Sequence, residues 1–339
     1  MSRNAEDMRT HARWTSDHFG RLTLIGAAGT LPFELTNHRS PTPQAMAASG
    51  LGSRMRRKPA SWILACAVAA AAGAVLARPA QAQQTPYRAP RFPGTENPDL
   101  NGIWQVLNSA NWNLEAHAAG PSPFPAILGA YAAEPAGQSV VEGGKIPYQP
   151  WAEAKRKENY ANRLQRPKDR ESNEATGDPE AKCYLPGVPR ATYIPLPFRI
   201  VQTAKQILIS YEFDSAARPV FMERKSTAPS DSWMGWSVGH WEGDTLVVDV
   251  TSQNDRTWLD RAGNFHGGDL HVVERYTPID ASHLMYEATM EDPKVYTRPW
   301  KIRMPLYRRI EDHAQLLEFK CVEFAEEFIY GHLVDTTSK

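Results

Sequence analysis

The chain has no excess of charge of either sign: 38 basic and 38 acidic residues leave a formal net charge of +0 at pH 7. That balance gives no electrostatic footprint for nucleic acid or an anionic lipid surface, so neither is expected as a partner. Cysteine is scarce, with 3 in 339 residues, and none sits in a C-x-x-C pair, which sets zinc-ribbon chemistry aside. No H-E-x-x-H spacing occurs, no glycine-rich phosphate loop follows a strand pattern, and there is no G-x-S-x-G elbow. Ser237, within W-S-V-G, stands in no comparable context. Nucleotide cofactors and serine hydrolysis lose their support, and no cofactor or metal is expected. Internal repeats, heptad runs and a second long apolar span are also missing.

What is present begins with an export signal. Met55-Arg56-Arg57-Lys58 gives a basic start, Trp62–Ala77 an apolar run, and Ala80-Gln81-Ala82 a small-residue cleavage site. The run falls short of the ~20 residues that span a bilayer, so the alternative of a single-pass anchor fits it poorly. Cys66 follows too few apolar residues to mark a lipoprotein. Cleavage after Ala82 implies a periplasmic or secreted protein, exported by a Gram-negative-type Sec route and left without a membrane anchor. Residues 1–54 precede the signal, where nothing is expected. They read either as an over-extended start, with Met55 the initiator, or as a disordered leader.

The whole chain, at 42% hydrophobic with 10 Trp, has ample material for a core. Residues 83–97 form a Pro-rich extended arm rather than a packed element. Residues 98–334 read as one β domain with an irregular and helical insertion at 106–177. Pro150 opens the best helix pattern, Trp151–Gln165, whose packing side would be Trp151, Ala154, Tyr160 and Leu164. Strand-like runs then recur roughly every ten residues, the spacing of a sandwich or barrel. They are Phe198–Thr203, Gln206–Phe213, Arg218–Glu223, Gly235–Trp241, Thr245–Thr251, Leu270–Tyr276, His283–Glu291, Trp300–Tyr307 and Gln315–Cys321. Short connections favour an antiparallel up-and-down meander. A short amphipathic helix, Glu323–Tyr330, would close the chain before Gly331. The fold class is mainly β.

Pro98–Trp104 (PDLNGIW), Cys183–Arg190 (CYLPGVPR), Trp241–Val248 (WEGDTLVV), Asn254–Asp260 (NDRTWLD), Asp292–Trp300 (DPKVYTRPW) and Leu317–Glu323 (LEFKCVE) follow one another in order. In these motifs the chain resembles a largely uncharacterised family of exported bacterial proteins, over nearly the whole mature length. The resemblance implies export and supplies no activity. Separately, Gly102-x-Trp104 opening a first strand resembles the lipocalin-like, or calycin, β-barrels, where that Trp closes one end. This implies an up-and-down barrel around an apolar cavity for hydrophobic small molecules. In a closed barrel the first and last strands are neighbours, so Cys183, in a turn before the meander, and Cys321, ending its last run, could meet. Two cysteines in an oxidising compartment suit a disulfide, worth roughly 4–5 kcal/mol for so long a loop. Two separate buried thiols are the alternative.

The strongest candidate site lies between Thr245–Thr251 and the strand pattern from Leu270. That loop carries Asn254, Asp255, Arg256, Trp258, Asp260, Arg261, Asn264 and His266. A histidine between glycines, with a carboxylate to orient it, is equipment for general acid–base chemistry, so His266 and Asp255 are the candidate pair. Arg256 or Arg261 could stabilise an oxyanion, and Trp258 would anchor the loop over a barrel mouth. The plainer alternative is a loop folded on itself, with Asn254 and Asp255 capping turns and the arginines pairing with carboxylates. His240 and His271 on neighbouring strands, with Tyr296 and Arg298 at the rim, complete the candidate ligand-binding set. His240, His266, His271 and Asp269 lack a metal-ligand spacing. Glu274, if turned inward, would need a partner, with Arg275 or Arg303 as candidates.

Two functions remain. One is a periplasmic barrel that binds a hydrophobic or aromatic small molecule. The other is a cofactor-independent lyase, isomerase or hydrolase that uses His266 and Asp255 on such a ligand.

Overall fold

The computed structural model describes residues 87–121, 133–164, 177–222 and 227–323, plus the backbone of two short N-terminal strands. Those strands, Trp14–Ser16 and Leu22–Leu24, pair antiparallel within a separate unit, Met1–Gln81. The expected signal segment 55–82, the rest of the expected leader apart from those two strands, and the helix expected over Glu323–Tyr330 lie outside the described residues.

In the second unit nine strands close into a barrel. In chain order they are β1 Gly102–Gln105, β2 Phe198–Gln202, β3 Gln206–Tyr211 and β4 Ala217–Phe221. Then come β5 Trp236–Glu242, β6 Thr245–Thr251, β7 His271–Pro278, β8 His283–Glu291 and β9 Trp300–Arg308. Period-two alternation sets which side chains face the lumen. On β8, buried Leu284, Tyr286, Ala288 and Met290 alternate with half-exposed neighbours. On β6, Leu246, Val248 and Val250 join the same core, as the alternation predicts.

Eight of the nine pairings are antiparallel, the arrangement expected of a meander. A closed ring of strictly alternating strands needs an even number, so nine strands require one parallel contact. It falls between β4 and β5, with Val220 opposite Ser237 and Phe221 opposite Val238. Parallel neighbours need a long crossover, and the connection from Phe221 to Trp236 is long enough to serve as one; its described residues are 222 and 227–235. The seam between β9 and β1 is also covered. Short β1 reaches β9 at Tyr307 and Arg308, while the insertion lines the rest of that edge through Val141 opposite Ile302 and an Arg303 N–H to Val140 carbonyl bond of 2.9 Å.

The two ends of the barrel differ. One carries the short hairpin turns and is sealed by Trp104, whose Nε1 donates to the Leu100 carbonyl at 3.1 Å. The Arg308 guanidinium covers its ring at 4.6 Å. Gly102 has φ +153, and a Cβ there would sit 3.3 Å from both Arg308 Nη1 and Trp104 Nε1. The Gly-x-Trp pair is thus a packing requirement of this end. The Pro-rich arm, expected to be unpacked, is docked here from Tyr87 onward: Ala89 is buried and Arg91 pairs with Asp244.

The opposite end gathers the described parts of the insertion (106–121, 133–164 and 177–197) with the long loops 252–270 and 292–299. Helix α1, Pro150–Ala161, is shorter than expected and packs by a different face. Ala152 and Asn159 are buried, whereas Trp151 is 55% exposed. Small side chains face inward because α1 rests directly on a loop backbone; Asn159 Nδ2 donates to the Gly263 carbonyl at 3.2 Å.

The run Gln315–Cys321, expected as the last strand, forms no ladder; β9 is the last strand of the barrel. The segment instead crosses the surface as a strap, with Leu317 N–H on the Glu212 carboxylate at 2.8 Å and the Phe319 ring tilted against Phe213, centroids 5.2 Å apart. It ends in the expected disulfide, Cys183–Cys321, with a Cα–Cα distance of 5.6 Å. The bridge therefore joins a turn to the strap rather than two neighbouring strands. Protein beginning at Gln83 should show no free thiol when denatured without reductant. Changing Cys183→Ser and Cys321→Ser together should lower the urea-unfolding free energy by roughly 4–5 kcal/mol. A loss near zero would mean that the strap detaches without weakening the barrel.

Candidate functional site

The loop end is plugged by α2, Arg190–Tyr193, all of whose residues are buried. Gln253 clamps the approach to it: the Val188 N–H donates to Gln253 Oε1 at 2.7 Å, and Gln253 Nε2 donates to the Val188 carbonyl at 2.8 Å. Gly187, at φ +71, must lack a side chain, since a Cβ would lie 2.8 Å from Thr257 Oγ1. The Tyr193 hydroxyl ties the plug to the Leu259 carbonyl at 2.6 Å.

Inside the lumen a polar layer interrupts the apolar core. Arg218 on β4 and Glu274 on β7 form a fully buried ion pair across the barrel. Arg218 Nε also donates to Ser237 Oγ at 2.7 Å, and its Nη1 to the Tyr211 hydroxyl at 3.2 Å. Glu274 Oε1 accepts from the Tyr276 and Tyr286 hydroxyls at 2.9 and 2.7 Å. Burial disfavours the charged guanidinium, but the Glu274 carboxylate outweighs it and holds the Arg218 pKa above its ordinary value. Burial, reinforced by the Glu274 charge, pushes both tyrosines well above theirs. The layer thus holds two full charges and three neutral phenols. The Thr192 hydroxyl, beside Tyr211 and Tyr276, is buried without a well-formed hydrogen bond of its own.

Around the plug a second buried network joins three loops. Arg190 grips Asp178 with two bonds of 2.8 and 2.9 Å, reaches Glu180 at 2.6 Å and donates from Nε to Asn111 Oδ1 at 2.9 Å. Arg261 closes a second fork on Glu180, both bonds 2.9 Å. Burial alone would raise the Glu180 pKa, but the Arg190 and Arg261 charges bring it down to about 2. Asp260 has no such cation bonded to it. It accepts from Leu114 N at 2.8 Å, Ala262 N at 2.9 Å and Asn264 Nδ2 at 2.6 Å. Burial prevails over these bonds and pushes its carboxyl up to about 6.

The expected acid–base pair is divided between interior and surface: His266 is buried and Asp255 exposed, although the Asp255 charge still acts on the ring. His266, expected on an exposed loop tip, is 1% exposed. Its Nδ1 donates to the Gly267 carbonyl at 2.8 Å, which leaves Nε2 to accept the Thr257 hydroxyl at 2.6 Å. Burial lowers its pKa, so the ring is neutral at pH 7. Asp255 and Arg256 are exposed, Arg256 donating its N–H to Asn254 Oδ1 at 3.1 Å. Trp258 is buried opposite Phe265, and the Tyr296 hydroxyl donates to the Phe265 carbonyl at 2.8 Å. Arg298 is exposed on the Pro299 carbonyl. His240 and His271 lie on the outer wall, facing Glu242 and Asp249 respectively. Arg261 is committed to Glu180, as the self-folded reading of the loop expects, and so cannot serve an oxyanion. Among the described residues no group of three or more His, Cys, Asp or Glu is arranged to hold a metal.

Sequence reasoning missed Arg190, Arg218 and the plug. Glu274 does turn inward, yet its partner is Arg218 rather than Arg275 or Arg303. The available signal was alternation in Ala217–Phe221, where Arg218 shares a face with Val220 alone.

His266→Ala should remove the acceptor of a buried hydroxyl and lower stability by about 1–3 kcal/mol in urea unfolding. An unchanged midpoint would return His266 to the list of free groups. Asp260 has a folded pKa above the unfolded value of about 3.9. Its contribution is therefore full below that value and is lost as pH rises through about 6. A carboxyl ¹³C NMR titration should show one aspartate with a midpoint near pH 6, absent in Asp260→Asn; no aspartate titrating above pH 5 would contradict this. No protein-family model, curated protein or solved structure matches the chain.

Proposed function

We propose that this barrel is an exported carrier for a small hydrophobic or aromatic molecule, and that the Arg218–Glu274 layer recognises the ligand's polar group. The observation that carries this is the buried charge pair itself. An ion pair in a dry core gives little net stability compared with well-packed apolar residues, so a barrel selected for stability alone has no need of one. Three phenol hydroxyls and Ser237 converge on the pair, as polar groups converge in small-molecule sites. Plug α2 is the element between this layer and the loops, and ligand uptake moves it outward. The Thr192 hydroxyl then supplies a further contact.

Export is supported by the signal pattern at 55–82 and by the disulfide, which persists in oxidising compartments. No helix among the described residues is long and apolar enough to cross a membrane.

Neutral phenols and aromatic ketones should quench or shift the tyrosine and tryptophan fluorescence of wild-type protein. Arg218→Met or Glu274→Leu alone should cost about 3–5 kcal/mol by stranding a buried charge, and the double variant should cost less than either. That double variant should fold and bind at least about tenfold more weakly, the loss of one charged hydrogen bond. Undiminished binding in the folded double variant would remove the lumen as the site.

A further inference from the structure

At the hairpin end, outside the lumen, the docked arm roofs a half-enclosed cavity of about 140 Å³. Its walls include Tyr87, Ala89 and Pro90 from the arm, with Pro278 and Leu284 from the β7–β8 hairpin. Arg308 faces this space. Its guanidinium is pinned over Trp104, its Nε is buried without an acceptor, and among the described residues it forms no ion pair. The contrast with the other enclosed arginines is sharp: Arg190, Arg218 and Arg261 each hold a carboxylate. A partly desolvated cation without an anion is costly, and a planar guanidinium is shaped for a carboxylate.

We infer that this cavity is a binding site for a small monocarboxylate with a compact apolar or aromatic body. The carboxylate accepts from the terminal Nη N–H groups of Arg308, since Nε is closed to solvent, and the body lies against Tyr87, Pro278 and Leu284. The volume is that of a benzene-sized group, since a cavity of about 150 Å³ accommodates benzene. Two acids share the lining and set the selectivity. Asp99 Oδ1 is taken by Asn101 N and Nδ2 at 3.0 and 2.7 Å, and Asp280 Oδ1 by Ser282 N and His283 Nδ1 at 2.7 and 2.8 Å. Neither reaches Arg308, yet both carry negative charge towards the cavity. A second anionic group on the ligand meets repulsion there, which favours monocarboxylates over dicarboxylates and phosphate. This site is separate from the lumen and does not depend on it.

The test uses protein beginning at Gln83, followed by thermal unfolding and calorimetric titration with benzoate, its neutral isostere benzamide, and phthalate. Benzoate should raise the melting temperature in a concentration-dependent way, while the other two at equal concentration leave it unchanged. Arg308→Gln should weaken benzoate binding at least about tenfold, the loss of one charge-assisted pair. Because Arg308 also covers Trp104, a second variant, Ala281→Trp, fills the cavity from an exposed lining position and spares both residues. It should melt like wild type and lose the benzoate response. The Arg218→Met/Glu274→Leu protein should keep that response. Equal shifts with benzamide, no shift with benzoate, or a response that survives Ala281→Trp would each overturn the proposal; loss in the lumen double variant would place benzoate in the lumen instead.

Discussion

A guanidinium taken out of water must be met by a carboxylate, and this fold meets that requirement twice in its interior. Arg218 finds Glu274 across the lumen, and Arg190 finds Asp178 and Glu180 beneath the loops. The first pair fixes which faces of β4 and β7 turn inward, because either side chain alone in the core would be untenable. The second gathers the segments around Asn111, Asp178–Glu180 and Arg261 onto the root of the plug. Remove the first requirement and the barrel has no polar layer; remove the second and the loops have no common anchor.

The electrostatics of the loop end show how environment divides chemically similar groups. Glu180 and Asp260 are both buried carboxyls in one network. A fork from Arg261 and one bond from Arg190 hold the first at about 2, whereas burial, with no cation bonded directly, leaves the second at about 6. His266, enclosed nearby, is held neutral with both ring nitrogens engaged. The polar loop that looked like catalytic equipment is largely a self-bonded support for the plug, with Asp255 and Arg256 left at its surface.

The strands were legible because alternation is local: Thr245–Thr251 and His283–Glu291 appear in the structure with the bounds read from sequence. The disulfide was legible because only two cysteines, Cys183 and Cys321, lie outside the signal-like pattern at 55–82, although the geometry that joins them is a strap rather than a strand pair. What was not legible depended on distant partners. Glu274 could be placed on a face by counting, but its cation sits fifty-six positions away. Asn159 faces inward on α1 because the Gly263 backbone lies beneath it, which hydrophobic periodicity cannot register. His266 between glycines looked mobile, yet the hydroxyl that buries it belongs to Thr257, nine residues earlier.

The seam strand β1 has a consequence for how the chain reaches this state. Its partners, β2 and β9, begin at Phe198 and Trp300, so neither contact can form by a local hairpin. Loop closure must be met before either ladder offers a return, which makes ring closure a late and slow event in folding. Until Gly102–Gln105 docks, the nascent sheet exposes two long unpaired edges, at β2 and at β9. Strands from another chain can pair with such edges. Aggregation during folding therefore competes with the docking of four residues.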